Sequence, residues 1–215
     1  ANNWERMNKL IFFGTKVAFV LMMIISIPII CESDYILRLW LNSPPIYSSS
    51  LTMLVLININ INTFSYFVYQ AVHASGKISK QQILISISDL LCILAIYSSF
   101  KLGGNFYYAV YIPIIFSIGR NFIIIYCAKE SINLDEKYYF KQIVCRCLLL
   151  FIILLAGSKI IVSIMPQSFL RLVLVLSLNG ILNIIGGYYI LFTKTEQKTI
   201  LNLLMNLKRQ NKKDL

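Results

Sequence analysis

KLIFFGTKVAFVLMMIISIPIIC, Lys9–Cys31, is the stretch whose reading decides the fold. After Lys9 it carries a single charge, Lys16, and its apolar residues do not leave a polar face open. A helix of about 20 mostly apolar residues spans the hydrocarbon core of a bilayer, and this run is long enough. Backbone N–H and C=O groups in hydrocarbon must be paired within the segment itself, so a lone apolar run of this kind is a helix. Five more segments read the same way: Ser50–Val72, Gln82–Phe100, Asn105–Cys127, Gln142–Ile164 and Ser168–Thr193. Between them lie chain breakers: Pro44-Pro45, Ser75-Gly76, Gly103-Gly104, Asn133 and Pro166. The expectation is an all-α integral membrane domain of six transmembrane helices over residues 1–195, followed by a short tail, 196–215.

Composition agrees. Of 215 residues 58% are hydrophobic and 13% are charged, and the mean hydropathy is +0.71. A soluble domain would carry roughly a quarter charged residues, and a disordered chain would be less apolar still. The strict alternation of a membrane β-barrel is missing. Five cysteines, Cys31, Cys92, Cys127, Cys145 and Cys147, form neither a disulfide framework nor a zinc spacing, and read as small residues tolerated in membranes.

The net charge of +11 points to a membrane surface and not to nucleic acid, because the basic residues gather at the ends of apolar runs. One set of alternating loops holds Arg6, Lys9, Lys77, Lys80, Lys129, Lys137, Lys141, Lys194, Lys198, Lys208, Arg209, Lys212 and Lys213. The other holds Arg38, Lys101 and Arg171, with Lys159 close by. Thirteen against four puts both termini on the cytoplasmic side. In the tail, Ile200, Leu203, Leu204 and Leu207 recur at helical spacing before Lys208-Arg209 and Lys212-Lys213, which fits either a helix on the anionic leaflet or a solvated topogenic tail.

Ionisable groups inside spans are costly and are candidates for function. Asp89 and Arg120 fall at similar depth, roughly 10–13 Å from the cytoplasmic end of consecutive antiparallel helices, so an ion pair between them is geometrically possible. Lys16 and Arg146 sit one to two turns inside their spans, where a long side chain can snorkel. Three cations against one anion in the inner half suggest a cavity for an anionic ligand; the alternative is a set of interfacial anchors on separate faces. In the second span Asn58, Asn62, Ser65, Tyr66, Tyr69 and His73 share one helical face, and Asn60 falls away from it. That face serves as interhelical hydrogen-bonding glue or as the lining of a wet passage for sugars. Asn179 and Asn183, beside Gly180 and Gly186-Gly187, read as packing, and Pro28 and Pro113 as kinks. Glu32 and Asp34 read as loop carboxylates on the outer side. No phosphate-binding loop, metal-binding H-E-x-x-H, nucleophile elbow or metal cluster recommends an enzyme, and no cofactor is implied.

Three landmarks in order resemble a known family. They are Ala1-Asn2-Asn3-Trp4-Glu5-Arg6-Met7, then Glu32-x-x-Tyr35-Ile36-Leu37-x-Leu39-Trp40-Leu41 with Pro44-Pro45, then Ala71-x-x-Ala74-Ser75-Gly76-Lys77-Ile78. Together they resemble the O-antigen flippases (Wzx type) among the polysaccharide exporters of the multidrug/oligosaccharidyl-lipid/polysaccharide (MATE-like) superfamily. The likeness covers most of Ala1–Lys129 and fades over the last two spans. It implies the second half of a transporter of 12–14 spans, whose first bundle would precede this chain; an opening Ala1 in place of Met agrees. It also implies translocation of an undecaprenyl-diphosphate-linked oligosaccharide across a bacterial cytoplasmic membrane for lipopolysaccharide and polysaccharide biosynthesis. The candidate site would comprise Lys16, Arg120 and Arg146 for the diphosphate, and Asn58, Asn62 and Tyr69 for the sugars, with Asp89 beside Arg120. The partners would be that lipid-linked glycan, membrane lipids and the first bundle. A cation-coupled multidrug exporter of the same superfamily predicts an acidic, aromatic cavity instead, and a membrane-bound glycan-assembly enzyme predicts a sizeable catalytic loop. A structural membrane subunit has no positive sign in the sequence.

Overall fold

The structure, a computed structural model, describes residues 4–41, 43–199 and 201. Six helices in it are long and apolar enough to cross a membrane: α1 Trp4–Leu41, α2 Ser48–Ala74, α3 Ser79–Lys101, α4 Tyr108–Ile132, α5 Glu136–Ile164 and α6 Phe169–Leu191. Among the described residues there is no strand. The protein is an all-helical bundle of the kind a multi-pass membrane protein requires.

Several helix ends follow from local chemistry. The expected breakers all fall in the connections. Gly76 and Gly103 adopt positive φ of 76° and 81°, and Asn133 caps α4 in the left-handed region at φ 51°. Asp135 accepts from the Tyr138 N–H at 3.0 Å to start α5, and Ser168 accepts from the Arg171 N–H at 3.2 Å to start α6. Most of the helices overrun their apolar stretches, α1 most of all. It continues from the expected 9–31 to Leu41 through a kink, with Glu32 at φ −113°, ψ 17°.

Helix α1 is the hub. It packs against α2, α5 and α6; α2 continues the row to α4, and α4 holds α3. The core lies where α1, α2 and α5 meet: Phe19, Met23, Ile27, Val68, Val72, Ile143, Cys147, Leu150 and Leu154 are all buried. The Phe19 and Phe64 rings stack at 4.5 Å. The Tyr139 hydroxyl, fully enclosed, donates to the Phe64 carbonyl. Gly186 lets α5 and α6 close up, since a Cβ there would lie 2.5 Å from Leu150 Cδ1. The small-residue reading holds at Gly186 but not at Gly180, where a Cβ would meet nothing within 4 Å. Helix α3 stands apart, burying only Gln81, Ile85 and Ser88.

Two π-helical turns interrupt the last helices, Phe140–Val144 in α5 and Gly187–Leu191 in α6. The carbonyls loosened by the second are taken up by Gln197, whose Nε2 donates to Tyr188 O at 2.6 Å and Phe192 O at 3.3 Å. Residues 194–199 form a further helical turn. Most of the amphipathic tail expected over 196–215, and Ala1–Asn3 of the first landmark, lie outside the described residues.

Candidate functional site

Among the described residues, the charged side chains that pair within the bundle form three clusters, one of them bordering a polar recess. Lys16 does not snorkel. Its side chain is 2% exposed and its Nζ contacts both oxygens of Glu196, at 2.8 and 3.0 Å. Glu196 is positioned by a capping box, accepting from Thr193 N–H at 2.7 Å while Thr193 Oγ1 accepts from Glu196 N–H at 3.4 Å. The excess of three cations over one anion expected from sequence is thereby corrected. Lys16 is neutralised by a carboxylate that the sequence places in the tail.

The second cluster overturns the reading of Glu32 as an outer-loop residue and of Arg171 as a mere topological charge. Glu32 sits at the α1 kink with its side chain fully buried, and Arg171 Nη2 lies 2.5 Å from its Oε2. Arg171 Nη1 donates to Met165 O at 2.9 Å and Val162 O at 3.4 Å, tying the α5–α6 turn to the kink. Removal of two charges from water is compensated only by close pairing and extra hydrogen bonds, and here the extra hydrogen bonds fall to Arg171 alone.

The third cluster is the pair anticipated from depth. Arg120 Nη2 on α4 meets Asp89 Oδ1 on α3 at 3.0 Å, with both side chains partly exposed. They border a recess of about 350 Å³ between α2, α3 and α4. Its α2 wall is Asn62, Ser65, Tyr66 and Tyr69; Gln82, Ile85 and Asp89 come from α3, and Arg120 and Ile124 from α4. Tyr69 Oη reaches Gln82 Oε1 at 3.5 Å, and its ring lies 4.2 Å from that of His73. Asn62 Nδ2 donates to Asn58 O at 3.0 Å and reaches Ser117 Oγ at 3.4 Å.

Of the seven site residues read from sequence, the structure brings together Asn62, Tyr69, Asp89 and Arg120. Asn58 lies one turn along α2 from Asn62. Lys16 and Arg146 are elsewhere: Arg146 is half-buried and donates to Ile190 O at 3.4 Å. Sequence reasoning placed Tyr66 and Ser65 on the polar face without assigning them to a site, and passed over Gln82. A signal for Gln82 existed: Tyr69 lies seven residues before Gly76 and Gln82 six after it, so the turn sets them at matching depth. Asn60 does turn away from the recess, as its spacing requires, and accepts from Ser26 Oγ at 3.3 Å.

Other cavities differ in character, one of about 500 Å³ between α1 and α2 sharing Asn62 and Tyr66 with the recess but being otherwise mostly apolar. A recess of about 410 Å³ at the basic end is lined by Arg6, Lys9, Phe12, Phe13, Tyr138 and the 193–199 turn. A groove of about 330 Å³ between α2, α4 and α5 is almost wholly apolar, with Asn121 its one polar side chain. The α2–α3–α4 recess combines amides, phenols and a charge pair, the groups that exchange hydrogen bonds with hydroxyls. Comparison with known protein families, with curated proteins and with solved structures finds no match.

Proposed function

We propose that this chain belongs to a bacterial cytoplasmic-membrane flippase, which carries an undecaprenyl-diphosphate-linked oligosaccharide from the inner to the outer leaflet. Both termini face the cytoplasm in this reading, and a second bundle of the same protein completes the cavity. The observation that carries it is the recess between α2, α3 and α4. Asn62, Tyr66, Tyr69 and Gln82 offer amide and phenol groups to sugar hydroxyls and aromatic faces to sugar C–H surfaces, with no net charge. The resemblance to the O-antigen flippases supplies the lipid-linked class of substrate. Arg146, whose described partner is a single carbonyl, is the cation left to meet the diphosphate, since Lys16 and Arg120 are tied to carboxylates.

A cation-coupled drug exporter requires a carboxylate free to attract its cargo. Among the described residues the carboxylates that reach the helix interiors, Glu32, Asp89 and Glu196, are each ion-paired. This observation supports the glycan reading over that alternative.

The test is surface-glycan export in a strain lacking its own flippase and complemented with the natural gene that encodes this sequence. Restored glycan on the cell surface is the expected result. Raised resistance to cationic drugs without surface glycan, from protein inserted at normal level, contradicts the proposal and favours the exporter.

A further inference from the structure

The recess holds an arginine, a group that remains charged in proteins and pairs with carboxylates and phosphates in a two-pronged fashion. Left alone, Arg120 would make the recess a site for acidic sugars. Asp89 prevents that by occupying Nη2 at 3.0 Å. The contact is made through one carboxylate oxygen, Oδ1.

We propose that Asp89 is the specificity-determining residue of the recess: by holding Arg120 it selects neutral sugars and rejects uronic acids and other sugars that carry a carboxylate. The inference rests on the reading of the recess as a sugar site. A neutral sugar fits the pair as it stands, because one hydroxyl donates to Asp89 Oδ2 while its neighbour accepts from the guanidinium. A uronate has no proton to offer at its carboxylate. It meets the like charge of Asp89, and must displace it to reach Arg120. Like charges at this separation cost more where water is partly excluded, and the recess lies between three apolar helices. The remaining walls, Asn62, Gln82 and the two tyrosines, are neutral and do not offset that repulsion.

The experiment uses the natural protein in nanodiscs of zwitterionic lipid, so that membrane charge does not set the preference. Saturation-transfer NMR measures binding of methyl β-glucoside and methyl glucuronate, a method suited to weak ligands. The wild type is expected to favour the glucoside roughly tenfold, the scale of one hydrogen bond to a charged group. Asp89→Asn should close or reverse that gap, and adding Arg120→Gln should remove whatever uronate binding Asp89→Asn gains through the freed guanidinium. If Asp89→Asn does not fold, Arg120→Gln alone provides the converse, since an unpaired Asp89 should favour glucosamine over glucose. Glucoside binding that persists with the same preference in Asp89→Asn overturns this inference and leaves the sugar site standing. Wild-type protein that binds neither sugar overturns both.

Discussion

Glu32 and Arg171 sit 139 residues apart in sequence and form the most enclosed ion pair of the described structure. Glu32 Oε1 and Arg171 Nε are buried with no hydrogen-bond partner, so the pair is only half compensated. Removing one member strands the other charge, which costs about 3–5 kcal/mol, whereas replacing both by apolar groups of similar size is close to neutral. Glu32→Gln should therefore lower thermal stability in detergent strongly, and Glu32→Leu with Arg171→Met should recover most of the loss. Additive losses in the double variant would contradict the account. Nothing local in the sequence announced this pair: Glu32 follows the last apolar residue of its run and reads as a loop acid. The Lys16–Glu196 pair was not read from the sequence either, although Thr193-x-x-Glu196 has the spacing of a capping box that fixes the carboxylate's position.

At the scale of the element, α1 shows how a helix defect is repaired by a neighbour. Pro28 has no N–H and leaves the carbonyl of Ile24 without its helical partner. Asn179 on α6 donates to that carbonyl at 3.3 Å and to Met23 O at 3.2 Å, and Asn183 donates to Val20 O at 3.0 Å. The i, i+4 spacing of the two asparagines identified them as a packing ladder, yet the acceptors could not be read, since they depend on α6 lying against α1. An interhelical hydrogen bond of this kind is worth about 1 kcal/mol. Asn179→Leu should cost that much in the wild type and less in a Pro28→Ala background, where Ile24 regains its own helical bond. Thermal unfolding of the four proteins of this cycle checks the coupling, and equal losses in both backgrounds would refute the repair.

For the whole molecule, six helices were legible because each apolar run is one helix and each breaker lies between two. The rotation of each helix was not legible, because apolar residues surround most of these helices on every side and the lipid-facing surface looks like the buried one. Ile87 and Ile93 of α3 are exposed, while Ile27 of α1 is enclosed, with no difference in residue type to separate them. Polar residues escaped that ambiguity, which is why the α2 face and the Asp89–Arg120 pair were legible and the partners of Lys16 and Arg171 were not. The proposed activity is the movement of a glycan-bearing lipid between leaflets. The most direct measurement is made with the natural protein in proteoliposomes that carry a lipid-linked oligosaccharide, by following the rate at which sugar loaded on one leaflet becomes accessible to an added glycosidase on the other. The account predicts a rate well above that of protein-free vesicles, and a lower rate when the recess is filled by Asn62→Trp. A rate equal to that of protein-free vesicles, with the protein folded and inserted, would contradict it.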